Sequence, residues 1–144
     1  MDWKPYEHNV KYYETDQMAI VHHSNYIRWF EEARVDWLEQ VGLPYDEMER
    51  RGIIIPVLSV SAEYKTMTRF GETVRILPRL EKYNGVRMEV SYTVVNAGSG
   101  EVRCVGRSGH CFLNRDYKPL ILKNTAPDYH AVFKQVYAAC HREE

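Results

Sequence analysis

Residues 14–26 read Glu14-Thr15-Asp16-Gln17-Met18-Ala19-Ile20-Val21-His22-His23-Ser24-Asn25-Tyr26. This stretch joins an aromatic-rich strand pattern to the most strongly helical segment of the chain. The first backbone N–H groups of a helix lack internal acceptors and carry partial positive charge. Asp16 comes shortly before such a helix start, so its carboxylate could attack a carbonyl, or activate water against it, while those groups stabilise the oxyanion.

On this pattern alone Asp16 has two interpretations. An aspartate in a loop before a helix is most often a turn or capping residue. The functional alternative is an acyl-transfer or hydrolysis site, best matched to an activated ester, because an amide would need strong protonation of its leaving group. His22 and His23 are close enough in sequence to supply that proton. Both interpretations remain open at this point.

Hydrophobic periodicity predicts an α+β domain with one long helix. Ser24 is predicted to cap this helix and Gly42 to end it, with an apolar stripe formed by Tyr26, Phe30, Ala33, Trp37 and Val41. Period-2 patterns predict strands over residues 6–14, 53–66, 73–83, 87–96 and 101–114, and Asn84-Gly85 is a hairpin turn. Further helices are predicted over residues 45–51 and 128–142. A run of hairpin-linked strands after one helix indicates an antiparallel sheet packed on that helix.

Length and composition indicate one soluble domain over residues 1–144. The net charge of −1 gives no electrostatic reason to expect a nucleic acid or an anionic membrane as partner. No stretch approaches the roughly 20 apolar residues of a membrane span, and the first residues do not resemble a signal peptide. The three cysteines show no metal-binding or disulfide pattern, so we expect reduced thiols and a cytoplasmic location.

Residues 13–26, followed by Phe30-Glu31-Glu32-Ala33-Arg34, resemble the signature of the hot-dog-fold acyl-CoA thioesterases. The branch they resemble is that of 4-hydroxybenzoyl-CoA thioesterase and the Tol–Pal-linked short-chain acyl-CoA thioesterases of bacteria. Residues 65–74 resemble the second block of this family, around its glycine-acidic turn. The resemblance implies a hot-dog fold, an antiparallel sheet of about five or six strands around one long central helix, with an extra C-terminal helix. It also implies a homodimer or homotetramer whose site is shared across the interface.

The resemblance further implies hydrolysis of an acyl-CoA thioester to free acid and CoA, without metal or cofactor. Asp16 would be the nucleophile or general base, the backbone N–H near His23 would polarise the carbonyl, and the His23 side chain would assist proton transfer or orientation. The residues expected to bind substrate are Tyr13, His22, Asn25, Tyr26, Lys65 and Arg69. An acyl carrier protein is an alternative carrier of the acyl group.

The bend beside Asp16 departs from the family pattern. Ala19 stands where the family usually has glycine, Met18 is bulkier than usual, and alanine adopts a positive φ less readily than glycine. This departure motivates an alternative function, a non-catalytic hot-dog module that binds an acyl thioester. A hot-dog dehydratase is less favoured, because the His- and Pro-rich signature expected of one is absent.

The remaining reactive residues have structural interpretations. His22-His23 lacks a third metal ligand at a recognisable spacing, so no metal site is expected. His110 is interpreted as a hydrogen-bonded residue within a sheet, and Cys104 and Cys111 as small core residues. Besides Lys65 and Arg69, Arg87 and Arg107 are candidates for contacting CoA phosphates, although exposed charges that confer solubility are the simpler interpretation for all four.

Overall fold

The computed structural model describes residues 1–142, which form one antiparallel sheet and four α-helices. The strands are β1 (Tyr6–Asn9), β2 (Val57–Tyr64), β3 (Thr73–Tyr83), β4 (Arg87–Asn96) and β5 (Val102–Cys111). The helices are α1 (Ser24–Gln40), α2 (Tyr45–Arg50), α3 (Leu122–Thr125) and α4 (Pro127–Cys140). The strand order across the sheet is β1-β3-β4-β5-β2, and every neighbouring pair is antiparallel. This confirms the predicted α+β hot-dog class, with the C-terminal helix.

The long helix α1 supplies the centre of the core. Its predicted apolar stripe is buried throughout, from Tyr26 to Val41. Phe30 stacks on Tyr92 of β4 with ring centroids 4.6 Å apart, and Gly106 of β5 lies so close to the Phe30 ring that a Cβ there would clash with it. Successive side chains of a strand point to opposite faces, so one face of β3, β4 and β5 meets α1 and the other carries charged residues.

Several element boundaries differ from the predicted ones for local reasons. Strand β1 ends at Asn9, and a 3₁₀ turn (Tyr12–Glu14) follows, because the Glu14 side chain accepts a hydrogen bond from the Lys11 N–H. The N-cap of α1 is His23, so the prediction of Ser24 was wrong by one residue. The short helix α3 was not predicted.

The edge strand β2 is exposed along its whole length apart from a half-buried Ala62. It pairs with β5 on one side and with no strand of the described chain on the other. Its apolar residues are nevertheless large: Val57, Leu58, Val60 and Tyr64 are 51, 52, 43 and 47 % exposed. An unpaired edge with apolar side chains is a surface suited to pairing with another strand.

Candidate active site

Asp16 opens a tight turn that folds back toward the start of α1. Its N–H donates to the Ile20 carbonyl at 2.9 Å, and the Ala19 N–H donates to the Asp16 carbonyl at 2.9 Å. One carboxylate oxygen, Oδ1, accepts the Met18 N–H at 2.8 Å. The other, Oδ2, has no hydrogen-bond partner in residues 1–142 and is therefore available to a ligand.

Ala19 adopts the left-handed conformation that this turn requires, with φ of 64°. The bend is therefore formed with alanine in place of glycine, and Met18, 74 % exposed, does not line the cleft beside Asp16. The presence of Ala19 and Met18, which motivated the alternative of a non-catalytic thioester-binding module, therefore leaves the turn beside Asp16 intact.

Replacing Ala19 by Gly should preserve or slightly raise stability. A non-glycine residue in the left-handed region costs roughly 1–2 kcal/mol, whereas glycine adds about 0.5–1 kcal/mol of unfolded-state entropy. We therefore expect the free energy of unfolding to rise by about 0–1 kcal/mol. Urea denaturation would measure this, with Ala97→Gly, in a turn where no positive φ is required, as the matched control. A loss above 1 kcal/mol for Ala19→Gly alone would contradict the expectation.

The start of α1 leaves one backbone donor free. The N–H groups of Ser24, Asn25 and Tyr26 donate to His22 Nδ1, the His22 carbonyl and the His23 carbonyl. The N–H of His23 has no acceptor within the described part of the chain. An unpaired N–H at the positive end of a helix is the kind of donor that stabilises a developing oxyanion.

Glu14 anchors the Asp16 turn to α1 from inside the protein. Its side chain is 5 % exposed and accepts hydrogen bonds from Lys11 N–H, from Trp29 Nε1 at 2.7 Å and, at 2.7 Å, pairs with His8 Nε2. Burial by itself would raise the pKa of this carboxyl, but the hydrogen bonds outweigh it and hold the pKa below its usual value. The two acidic residues of the motif therefore differ in environment, because Glu14 is engaged internally and Asp16 faces the cleft.

A cleft of about 650 Å³ collects the polar groups of this region. Of the predicted site residues, Asp16, His23, Tyr26, Lys65 and Arg69 line it. The Arg69 guanidinium has no partner among the described residues, and Lys65 pairs with Glu63 at 3.2 Å on the exposed strand β2. The cleft thus places a carboxylate, a helix start and two cations on one continuous surface.

Three predicted substrate-binding residues do not line this cleft. Tyr13 is 79 % exposed and lies within the 3₁₀ turn. The ring of His22 stacks on that of His23, with centroids 4.2 Å apart, and accepts the Ser24 N–H. Asn25 is buried and donates from Nδ2 to the carbonyls of Glu14 and His22. The contacts of His22 and Asn25 hold the helix start rather than face the cleft.

Other cleft residues were not predicted. Tyr64 of β2 donates to the His23 carbonyl at 3.4 Å. Tyr26 donates to Thr68 Oγ1 at 3.1 Å, and burial raises the pKa of Tyr26, which keeps this hydroxyl protonated. Arg103 forms an ion pair with Glu72 at 3.0 Å on the cleft wall. Tyr26 of α1 was predicted, whereas Tyr64 and Arg103 come from strands far along the chain, and no local pattern marked them.

The other reactive residues lie elsewhere. His110 is buried in β5 and hydrogen-bonded, as predicted, and Arg107 pairs with Glu89 on the outer face of the sheet. Burial raises the pKa of the Cys104 thiol to about 12, so this core cysteine is not a nucleophile. Residues 1–142 contain no group of three or more His, Cys, Asp or Glu that could hold a metal ion. Nor does any helix in this range have the length and apolar character needed to cross a membrane.

The fold is that of the hot-dog thioesterases, and comparison with known proteins agrees. A family model described as the thioesterase-like superfamily matches residues 10–130, and the chain belongs to this family. It is 34 % identical over 130 residues to the "Putative acyl-CoA thioesterase YneP" of Bacillus subtilis, covering 90 % of this chain and 94 % of that one.

Two further relatives carry more specific names. The crystal structure of a DHNA-CoA thioesterase from Staphylococcus aureus superposes with a TM-score of 0.90 at 33 % identity, covering 96 % of this chain and 93 % of that one. A 1,4-dihydroxy-2-naphthoyl-CoA hydrolase of Thermosynechococcus vestitus is 22 % identical over 116 residues, covering 80 % and 79 % of the two chains. These findings confirm the predicted class of enzyme, a thioester hydrolase.

Proposed function

We propose that this protein hydrolyses an acyl-CoA thioester to the free acid and CoA at the cleft beside Asp16. The observation that carries the proposal is the free Oδ2 of Asp16 in the same cleft as the unpaired helix start at His23. The family and the names of the relatives support the reaction class.

We propose the following roles for the groups of the cleft. The thioester oxygen accepts the His23 N–H, which stabilises the negative charge that develops as the carbonyl is attacked. Asp16 either attacks the carbonyl carbon, forming an anhydride that water then opens, or removes a proton from the attacking water. In both routes the carbon–sulfur bond breaks and one water is consumed: the acyl group leaves as the free acid, the Asp16 carboxylate is restored, and the CoA sulfur leaves as a thiolate that takes up a proton. The exposed His23 imidazole lines the same cleft and is proposed to assist that transfer.

Lys65 and Arg69 are proposed to bind the CoA phosphates. Both are exposed cations on the cleft wall, and the Arg69 guanidinium is unpaired within the described chain. A guanidinium binds phosphate through parallel charge-assisted hydrogen bonds, and an ammonium binds it as a point charge. Arg87 and Arg107 do not line this cleft, so they are not included.

A thiol-release assay tests the reaction. Wild-type protein would be given acetyl-, hexanoyl-, palmitoyl-, benzoyl- and 1,4-dihydroxy-2-naphthoyl-CoA, together with acyl-pantetheine and acyl carrier protein forms of the best acyl group. We expect turnover of at least one acyl-CoA and a higher KM for the pantetheine thioester, which lacks the nucleotide phosphates. Tight binding without thiol release from any substrate would contradict hydrolysis and support the non-catalytic module. The assignment to the 4-hydroxybenzoyl-CoA and Tol–Pal-linked branch stays a prediction that the same substrate series examines.

We also infer that two copies of the chain pair through β2 and that the dimer, alone or doubled into a tetramer, is the active form. The unpaired edge and the exposed Val57, Leu58, Val60 and Tyr64 support this inference. Tyr64 lines the cleft, so pairing there would bring the partner chain to the substrate. Sedimentation velocity would show a species of twice or four times the chain mass. A monomer at all concentrations would contradict it.

The three free thiols accord with the proposed cytoplasmic location.

A further inference from the structure

Asn25 is a buried polar residue in the first turn of α1, and it does not line the cleft beside Asp16. Its side-chain nitrogen, Nδ2, lies 2.9 Å from the Glu14 carbonyl oxygen and 3.3 Å from the His22 carbonyl oxygen. A carbonyl oxygen can only accept, so the amide nitrogen must face both oxygens, and its two N–H bonds serve these two acceptors. One side chain thus connects the segment that leads into the Asp16 turn to the start of the helix.

The His22 carbonyl belongs to the same peptide group as the His23 N–H. This peptide group is planar and trans, so its C=O and N–H bonds point in opposite directions. The carbonyl points into the protein, because it accepts hydrogen bonds from the Asn25 N–H at 3.0 Å and from Asn25 Nδ2. The N–H therefore points away from the interior, on the side where the exposed His23 lines the cleft.

Asn25 strengthens this donor as well as directing it. A carbonyl that accepts a hydrogen bond polarises its peptide group, so the N–H of the same group becomes a better donor, by about 10–30 % per bond. The His22 carbonyl accepts two such bonds, and both come from Asn25. Because Asn25 is only 5 % exposed, water has little access to these bonds.

The same side chain fixes the distance between the two reactive groups of the cleft. The Glu14 carbonyl accepts from Asn25 Nδ2 and also from the His22 N–H at 2.8 Å. Two residues after Glu14, Asp16 opens the turn whose Oδ2 is free. The hydrogen bond between Glu14 and Asn25 therefore holds the Asp16 turn against the helix start that carries the His23 N–H.

We propose that Asn25 is a positioning residue for hydrolysis, which aims the His23 N–H at the thioester oxygen and holds it at a fixed distance from the Asp16 carboxylate. Asn25 touches neither the substrate nor the reacting atoms, so it acts through the peptide group between His22 and His23. The proposal rests on the proposed thioester hydrolysis at this cleft. Loss of the Asn25 amide should slow the chemical step and leave substrate binding nearly unchanged, because the oxyanion develops only in the transition state.

Replacing Asn25 by Leu tests the proposal. Leucine is close in shape to asparagine but has no donor, and the Glu14 and His22 carbonyls each keep a backbone donor, so we expect the fold to be retained. For the best acyl-CoA substrate, kcat should fall by about 10–10²-fold, less than the roughly 10²–10³-fold cost of removing an oxyanion donor outright. KM should stay within about threefold of the wild-type value, as for an interaction made only in the transition state.

Tyr92→Phe is the matched control. It is also close in shape, and it deletes the buried hydrogen bonds of the Tyr92 hydroxyl with Arg34 and Ser108, which lie away from the cleft. Because the peptide group between His22 and His23 is untouched, kcat should stay within about threefold of the wild-type value.

A second measurement reports on the His23 N–H without turnover. Its ligand is an acyl-CoA analogue in which a methylene replaces the thioester sulfur, so that the ketone accepts the same hydrogen bond but cannot be hydrolysed. In the proton–nitrogen correlation spectrum of the wild type, saturation with this analogue should move the His23 amide proton downfield. The shift should be reduced by roughly half or more in Asn25→Leu, because a misdirected donor bonds weakly, and should be retained in Tyr92→Phe. If Asn25→Leu does not fold, Asn25→Ser, whose shorter side chain cannot reach both carbonyls, replaces it in both experiments.

The outcomes separate a positioning role from a structural or binding role. A kcat within about threefold of the wild-type value in a folded Asn25 variant overturns the proposal, as does an equal fall in Tyr92→Phe. A raised KM with unchanged kcat also overturns it, because Asn25 would then contribute to substrate binding. So does a wild-type His23 amide proton that does not move on saturation, a result that needs no variant. Absence of thiol release from every acyl-CoA instead overturns the proposed hydrolysis, and the amide shift still decides the role of Asn25.

Discussion

Replacing Asp16 by Asn should lower kcat for acyl-CoA hydrolysis by about 10²–10⁴-fold, the usual contribution of a positioned acid or base. Asparagine keeps the oxygen that accepts the Met18 N–H, so the turn is retained while the negative charge is lost. The free Oδ2 becomes an amide nitrogen, which can neither attack the thioester nor remove a proton from water. Because the cleft is otherwise unchanged, KM should change little. Thiol release measured under saturating acyl-CoA gives the value directly.

A matched control keeps this result specific to Asp16. Glu101 lines the same cleft, where its carboxylate accepts from Thr66 and pairs with Arg103. Glu101→Gln therefore removes one negative charge from the cleft without touching the turn, and we expect it to retain kcat within about threefold, the effect of a screened charge at a partly exposed site. Turnover by Asp16→Asn close to that of Glu101→Gln, with both proteins folded, would show that Asp16 is not the catalytic carboxylate.

Asp16 could be identified from the sequence more readily than most other residues of the candidate site, because the pattern that marks it is local. A short motif, a turn and the start of a helix are all encoded within a few residues of it, and the apolar stripe of α1 follows the helical period. Which acidic residue is buried depends instead on distant partners. Glu14 is enclosed by His8 from β1 and Trp29 from α1, and these contacts exist only after the chain has folded.

The same distinction explains which of the predicted residues line the cleft. Tyr26 shares its helix face with the predicted core stripe, so its inward direction followed from periodicity, and it lines the cleft. The direction of Tyr13 depends on a 3₁₀ turn that replaced the expected strand, and this turn leaves it exposed. Tyr64 and Arg103 both reach the cleft because β2 pairs with β5. The alternation of residues predicts the two strands but not that they pair with each other.

Mild acid should destabilise the protein through His110, before the carboxylates titrate. Burial, together with the nearby positive charge of Arg34, lowers the pKa of His110 from 6.5 to about 4. The unfolded chain therefore binds a proton more readily than the folded protein, so stability falls as the pH drops from 6.5 toward 4 and levels off below 4. At 1.36 kcal/mol per pKa unit the total loss is about 3 kcal/mol, of which about 2 kcal/mol is lost by pH 5. Urea denaturation at pH 7, 6 and 5 measures it.

The interval from pH 7 to 5 isolates the histidine contribution. The lowered pKa of Glu14 makes its stabilising contribution disappear only below its usual value of 4.5. His130 also has a lowered pKa, caused by desolvation and by Lys134 and Lys123, so it acts in the same direction, and His130→Gln serves as the matched control.

His110→Gln should be less stable at pH 7, because Ser108 loses its acceptor, yet its stability should change by less than about 1 kcal/mol between pH 7 and 5, since the buried titrating group is gone. A wild-type pH dependence in folded His110→Gln, or its loss in His130→Gln alone, would refute the assignment to His110. The comparison uses the change in stability with pH and not the absolute stability, so the cost of losing the His110 hydrogen bonds to Ser108 and to the Pro56 carbonyl does not affect the outcome.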